Sequence, residues 1–317
     1  MKYIVSLRQA IEDLIREKNA FILGEDIQEP YGGAFKVTKG LSGKYPENVI
    51  ATPMCEQGFT ALSVGMALMG DYVIEEIMFG DFLTLAADQM INHAAKFYDL
   101  YGQKLHLALR IPSGGYRGYG ATHSQSLEKL FLGVPGIRVV AASAYADPGA
   151  LLKQSLESGK PIVFVENKAD YPKDLILEDF DIFCREEWDG VVRISVPDEA
   201  PRWTIVTYGG ISGFCVEAAR ELFYEEEIAA DVLILSDLSH YQAASGAVRT
   251  DRVLIVEEGV GAFGWGCQIA CALAEKGKRA WPIGALDSFI PAAKSAEENV
   301  LVQAADIASY ILKRESL

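Results

Sequence analysis

No stretch of this chain runs uninterrupted through the roughly 18–20 apolar residues that a membrane-crossing helix requires. The opening segment MKYIVSLRQAIEDLIREK carries charges where an export signal needs an apolar run. A soluble, unexported, cytoplasmic protein is the expectation. Positive charge is also scarce: 29 lysines and arginines face 44 aspartates and glutamates, a net charge of −15. The basic residues are scattered, which excludes a phosphate-backbone partner such as nucleic acid. The five cysteines are odd in number and show no CxxC spacing. Most sit in apolar segments, so a disulfide framework and a zinc site are excluded in favour of reduced core thiols, and no metal-ligating set is expected from this chain. There are only four histidines, no Gly-x-Ser-x-Gly elbow and no Gly-Lys-Ser/Thr phosphate loop. Serine-hydrolase and P-loop chemistry therefore fall away.

What is present is alternation. Between residues 20 and 167, short runs apolar on both faces (FILG, YVIEEIMF, LHLALRIP, IRVVAAS, PIVFVEN) are separated by helical patterns. That is the signature of parallel βαβ units with helices on each side. The first helix places Leu7, Ile11, Leu14 and Ile15 on one face, with Ser6 as its expected cap. From 168 to about 201 the pattern becomes charged and proline-punctuated, as a connector with a small ribbon would be. Beyond it TIVTYGG, ADVLILSDL, DRVLIVEE and GWGCQIACALAEKG repeat the alternation. The expectation is an α/β protein of two doubly wound domains, residues 1–185 and a smaller 186–317, since 317 residues exceed the usual single-domain size.

Three places invite chemistry. Glu56 follows Met54 and Cys55 at an expected helix start in ATPMCEQGFTA. It either complements the helix dipole or, pressed among apolar residues, has a raised proton affinity suited to sharing a proton with a ring nitrogen. His123 stands on the glycine-rich loop IPSGGYRGYGATHS. It is either a satisfied structural residue or an acid/base group beside a loop whose glycines admit a ligand. Phe79 and Phe82 open a helix and read as core or as a cofactor platform; Ala86, Ala87, Ala94 and Ala95 on that helix suit a tightly packed helical partner, such as one from another subunit. His93, His106 and His240 show no metal spacing and read as structural.

In order along the chain, GED at 24–26, GGAFKVTKGL at 32–41, TPMCEQGF at 52–59, EIMFGDF with ADQMINHAAK at 76–96, IPSGG after Arg110, ATHSQSLE at 121–128 and PGIRVV at 135–140 resemble the beta subunit of the thiamine-diphosphate-dependent decarboxylating component of 2-oxoacid dehydrogenases, a transketolase-like family. TIVTYGG and GAFGWGCQIA fit that family's carboxy-terminal domain. The resemblance implies a pyrimidine-binding amino-terminal domain and a transketolase-like carboxy-terminal one. It implies that Glu56 hydrogen-bonds the aminopyrimidine of thiamine diphosphate and promotes its imino tautomer, that Phe82, with Met54 nearby, packs on that ring, and that His123 serves acid/base steps as the acyl group passes to lipoamide.

The family holds the cofactor's diphosphate through Mg2+ with a GDG motif followed by an asparagine, and this chain has no GDG. The resemblance thus implies an alpha subunit that supplies the diphosphate and magnesium ligands in an α2β2 heterotetramer. A lipoyl acyltransferase is a further implied partner, and pyruvate, a branched-chain 2-oxoacid or acetoin the substrate. The chain departs from the family at Ser158 and Lys160, where many relatives bind potassium; the expectation is that the Lys160 ammonium replaces that ion or that none binds. ALDSFIP at 285–291 and SDLSHYQ at 236–242 also depart from the family pattern. The alternative is half of a split transketolase or carboligase using the same ylide chemistry. A non-enzymatic scaffold is disfavoured by the retention of Glu56, Phe82 and His123.

Overall fold

The computed structural model describes residues 1–315 in two compact units. The first contains residues 1–113, 127–142 and 147–175; the second contains 114–126, 143–146 and 176–315.

In the first unit, helix α1 (Tyr3–Lys18) leads into β1 (Phe21–Gly24), the short α2 (Leu41–Lys44), β2 (Val49–Ala51), α3 (Glu56–Leu68) and β3 (Val73–Glu76). A 3-10 segment, Gly80–Ala86, and a π-helical turn, Gln89–Ala94, precede α4 (Ala95–Tyr101) and β4 (Leu107–Ser113). Then follow β5 (Arg138–Ala141), α5 (Pro148–Glu157) and β6 (Ile162–Asn167). The six strands pair in the order β2-β1-β3-β4-β6-β5, all parallel. Every residue of β3, β4 and β6 is buried, which explains why these runs show no apolar-polar alternation. Because side chains alternate across a sheet, Ile22, Ile74, Ala108, Ile162 and Phe164 meet Leu7, Ile11 and Leu14 of α1 and Leu152 and Leu156 of α5 in one core. Their neighbours in sequence point to the opposite face of the sheet, where α3 packs against β1, β3 and β4.

Ser6 differs from expectation. It lies inside α1, not at its cap, and its hydroxyl bonds the Asp147 carboxylate while accepting from Gly149 N–H at 3.0 Å. Asp147 in turn caps α5 through Gly149 and Ala150, with Pro148 at the first helical position. A serine that looked like one helix's cap thus pins the start of another. Between β4 and β5 the chain makes a single 3-10 turn, Glu128–Phe131.

The second unit begins its regular structure with the antiparallel ribbon β7 (Cys184–Trp188) and β8 (Val191–Ser195). It continues through β9 (Trp203–Tyr208), α6 (Ser212–Glu226), β10 (Ala230–Leu235), α7 (Gln242–Ala247), β11 (Arg252–Val260), α8 (Trp265–Ala274), β12 (Arg279–Ala285), α9 (Lys294–Glu297) and α10 (Ala304–Glu315). The order is β12-β11-β9-β10-β8-β7, parallel across the first four strands and antiparallel at the ribbon edge. Its core is built on Trp203, Ile205, Val232, Ile234 and Leu254, with Cys215 and Leu222 from α6 and Ile307 and Ile311 from α10. Glu315 anchors the end of α10: it accepts from Trp203 Nε1 at 2.6 Å and Arg252 Nη1 at 2.5 Å, and pairs with Arg202.

Only Cys215 among the five cysteines is a core thiol, and burial pushes it up to about 12. Cys55, Cys267 and Cys271 are exposed and Cys184 is half-buried. The expectation of core cysteines fails because each exposed one sits on the outer face of its helix or at a helix start, where an apolar sequence context does not imply burial.

Candidate active site

The sequence TPMC leaves β2 and turns directly into α3, with Glu56 as the first helical residue. Cys55 supplies no side-chain cap. The turn is closed by backbone bonds from Gly58 and Phe59 N–H to the Cys55 carbonyl, at 2.9 and 3.0 Å. Glu56 therefore brings the one negative charge to a helix start rich in unsatisfied donors. The sequence reading had Glu56 pressed among apolar side chains. In this chain it is only half-buried, because Met54, 87% exposed, and Cys55 turn outward rather than over it.

α3 buries Phe59, Thr60, Ser63, Val64 and Ala67 against the sheet. Its outward residues, Gln57, Gly58, Ala61, Leu62 and Gly65, carry no charge at all, nor does the exposed Met69 that caps its end. A helix that presents an uncharged face to solvent is unlike an ordinary surface helix.

The carboxylate that is fully buried is Glu75, on β3 directly beneath α3. Thr60, one turn along α3 from Glu56, donates to Glu75 Oε1 at 2.5 Å. Burial pushes Glu75 up to about 7, the Thr60 and Ser63 hydroxyls pull it back, and the Glu56 charge raises it further. Glu25, at the end of β1, is also buried and also raised, first by desolvation and then by Glu56 and Asp26. Gly24 is required just before it, since a Cβ there would stand 2.7 Å from the Glu76 carbonyl of the neighbouring strand. Three carboxyl groups from β1, α3 and β3 thus form one electrostatic cluster. Neither Glu25 nor Glu75 was singled out from the sequence. The available signal was an adjacent acidic pair inside an otherwise apolar central strand.

The second member of that pair, Glu76, points to the opposite face. There Arg110 Nη1 donates to it at 2.6 Å while Arg110 Nε and Nη2 grip Glu166 at 2.6 and 2.7 Å, and Tyr171 OH adds a bond to Glu166 at 2.8 Å. All four side chains are buried.

Phe82 lies in the 3-10 segment that packs against α3. It is half-buried, with its ring edge-on to Phe79 at 6.2 Å, and Phe79 is edge-on to Phe35 at 5.5 Å. Gly80 between the two phenylalanines admits the end of β4, because a Cβ would fall 2.1 Å from Ser113 Oγ. Ala86, Ala94 and Ala95 are buried inside this unit, and the backbone at Gly136, with φ of +83°, closes on Ala95. Of the four alanines expected to suit a tight helical partner, Ala86, Ala94 and Ala95 are thus packed within the chain, while Ala87 is half-buried. Lys160 rests its ammonium 5.0 Å from the Tyr98 ring centre, and its N–H donates to Ser158 Oγ at 3.3 Å.

His123 belongs to the second unit. It is half-buried, its Nδ1 lies 2.9 Å from Thr122 Oγ1, and its N–H donates to the Gly120 carbonyl at 3.2 Å. The neighbouring Ser124 hydroxyl is buried without a partner among the described residues. The loop glycines do not simply clear space. Gly115 N–H donates to Glu258 at 2.6 Å and Gly118 N–H to Glu297 at 2.8 Å, while Leu301 occupies the volume a side chain at 115 would need. Among the described residues, no group of three or more His, Cys, Asp or Glu is placed to hold a metal.

The model of the transketolase pyrimidine binding domain matches residues 1–173, and that of the transketolase C-terminal domain matches 192–307. The mitochondrial pyruvate dehydrogenase E1 component subunit beta of Dictyostelium discoideum is 34% identical over 284 residues, covering 86% of this chain and 78% of that protein. The chain belongs to the beta-subunit family of thiamine-diphosphate-dependent 2-oxoacid dehydrogenases. The mitochondrial pyruvate dehydrogenase E1 beta subunit of Bos taurus is 32% identical over 333 residues, with 98% of this chain and 90% of that one covered. A chloroplastic beta-3 subunit of Arabidopsis thaliana is 32% identical over 311 residues, with 95% and 75% covered. Among solved structures, a split gene transketolase in an inactive beta4 tetramer superposes with a TM-score of 0.78 over 100% of this chain and 99% of that one, at 19% identity, which bears on the fold alone.

These relatives overturn the expectation of a cytoplasmic protein, since the named family members are mitochondrial or chloroplastic. Unpaired cysteines report a reducing environment and not which compartment provides it.

The family implies thiamine diphosphate, and the first unit fits the aminopyrimidine half of that cofactor. Glu56 offers a half-buried carboxylate at a helix start, Phe82 a half-buried ring on the segment packed beside it, and Met54 an exposed apolar side chain at the same turn. Its described residues include no metal-holding cluster for a diphosphate.

Proposed function

We propose that this chain is the beta half of an α2β2 2-oxoacid dehydrogenase that decarboxylates a small 2-oxoacid and passes the acyl group to lipoamide. Thiamine diphosphate, when bound, supplies the electron sink for loss of carbon dioxide. The remaining work falls to protein side chains. Glu56 holds and returns a proton at the aminopyrimidine N1′, where its carboxyl orients the ring and exchanges the proton. Phe82 and Met54 hold the ring's apolar faces and exclude water. His123, carried by the second unit, moves a proton at the acyl-transfer step. Mg2+ and the diphosphate are held mainly by the alpha subunit, and a lipoyl acyltransferase is the onward partner.

The observation that carries this reading is α3: a carboxylate at its first residue, backed by two buried carboxyls, on a helix whose outward face lacks any charge. An alpha chain laid over that face would bury Glu56, which this chain alone buries only by half. Replacing Glu56 with Gln in the co-expressed heterotetramer tests the assignment. The 2-oxoacid-dependent rate, read with an artificial electron acceptor, should fall by at least about 100-fold, the usual range for removing a positioned acid/base group. Undiminished decarboxylation would remove the role given to Glu56.

A further inference from the structure

The chain carries a net charge of −15, yet arginines gather at one place in the second unit. Arg202 stands just ahead of β9, Arg249 in the turn between α7 and β11, Arg252 at the first position of β11 and Arg279 at the first position of β12. Together with Pro201, Thr250 and Asp251 they line a cavity of about 410 Å3, within the roughly 300–1,000 Å3 of small-molecule sites. The cavity lies at the edge of the sheet where its parallel strands begin. Open α/β sheets ordinarily take ligands at the other edge, where the strands end. The fold by itself therefore gives no reason for four guanidinium groups here.

Internal pairing does not supply one either. Arg252 and Arg279 are register partners on adjacent parallel strands, so two like charges leave the sheet side by side. The carboxylates at the rim are shared. Glu315 accepts from both Arg202 and Arg252, and Glu186 takes Arg249 at 3.2 Å and Arg193 at 3.1 Å. Asp251, the single acid on the cavity wall among the described residues, is 87% exposed and has Lys278 3.8 Å away. Arg202 and Arg252 have a structural role in anchoring Glu315 at the end of α10, and Arg252 lies 5.8 Å from the Trp203 ring centre. Arg249 has only an exposed ion pair, a kind that contributes little to stability. Arg279 is exposed, and its side chain has no partner among the described residues. Like charges held together without a structural gain mark a functional position.

We propose that this cavity is a binding site for a small molecule carrying two or more linked phosphoryl groups, held by Arg249, Arg252 and Arg279 with Arg202 beside them. Guanidinium groups match phosphate oxygens two hydrogen bonds at a time and keep their charge throughout the physiological range. Arg279, Arg252 and Arg202 head three successive strands in the order β12-β11-β9. At about 4.8 Å between neighbouring strands the row spans roughly 10 Å, a length that linked phosphoryl groups fill better than a single phosphate. The bound anion would separate the like charges of Arg252 and Arg279. Every residue of the site comes from the second unit, and the proposal is independent of the reading of Glu56.

The test is calorimetric titration of the full chain with pyrophosphate, in dilute buffer containing a chelator so that no divalent cation competes for the anion. Wild type should bind one pyrophosphate per chain saturably, and inorganic phosphate at least about 10-fold more weakly. Arg249→Gln and Arg279→Gln should each weaken pyrophosphate binding by about 10-fold, the loss of one hydrogen bond to a charged group. Arg279→Lys, which keeps the charge but loses the fork, should fall between wild type and Arg279→Gln. Arg220→Gln is the control: Arg220 lies on α6, pairs with Asp181 at 2.9 Å and does not line the cavity, so the same charge is removed and affinity should not change. Thermal unfolding without ligand should be the same for wild type, Arg249→Gln and Arg279→Gln, which separates lost binding from lost folding. Adenosine triphosphate in place of pyrophosphate distinguishes the sources of the phosphate chain: tighter binding assigns the site to a nucleotide, equal or weaker binding to a free polyphosphate. Heat that fails to saturate at millimolar pyrophosphate, affinity unmoved in both cavity variants, or a loss in Arg220→Gln as large as theirs overturns the proposal.

Discussion

At the scale of single residues the protein turns on where protons can be held. Glu75 has an ordinary value of 4.5 and is pushed up to about 7 by burial. Below about pH 4.5 folded and unfolded chains both hold its proton. As pH rises toward 7 the unfolded chain releases the proton and the native state does not, so stability falls across that window, by about 3 kcal/mol in all. Glu75→Gln should remove this slope. Denaturant unfolding at about pH 5 and about pH 8 measures it: the wild-type difference should shrink in the variant, and an identical difference in both would place the strain elsewhere. His123 gives a second prediction. On the proposed function, His123→Gln should slow lipoamide-coupled acyl transfer by about 100- to 10,000-fold and reduce decarboxylation to an artificial acceptor less. Equal losses in both assays would tie the imidazole to a shared earlier step.

At the scale of elements, the pieces that hold the site in place are strands with charges in them. Arg110 on β4 bridges β3 and β6 by gripping Glu76 and Glu166 at full burial. Arg110→Met should cost about 3–5 kcal/mol, because two carboxylates lose their countercharge together. Chemical denaturation of the purified variant reads it, and a loss within experimental scatter would mean that water reaches the pair. The sequence made the strands and helices legible wherever burial was two-sided or the apolar stripe was long, as in β4, β6 and α1. It made Glu56 legible through its place after TPMC, and Phe82 through the EIMFGDF segment. What it hid depended on contacts far along the chain. Ser6 reads as a cap until Asp147 and Gly149 arrive beside it, and Ala95 reads as an interface residue until the Gly136 backbone closes on it. The exposed cysteines lie at the start of α3 and on the outer face of α8, in segments whose sequence is largely apolar. Glu25 and Glu75 become meaningful only when β1, β3 and α3 bring three carboxyls together.

At the scale of the molecule, the proposed function gives the first unit one half of a cofactor site. It offers an acid and aromatic surface suited to a pyrimidine and, among its described residues, no cluster to hold the metal of a diphosphate. The uncharged outward face of α3 is the surface that a second chain would complete. Calorimetric titration of thiamine diphosphate with Mg2+ tests this most directly, first into this chain alone and then into the chain co-assembled with its alpha partner. The account predicts no tight binding to the isolated chain and magnesium-dependent micromolar binding, or tighter, to the assembly. Micromolar, magnesium-dependent binding to the isolated chain would contradict it.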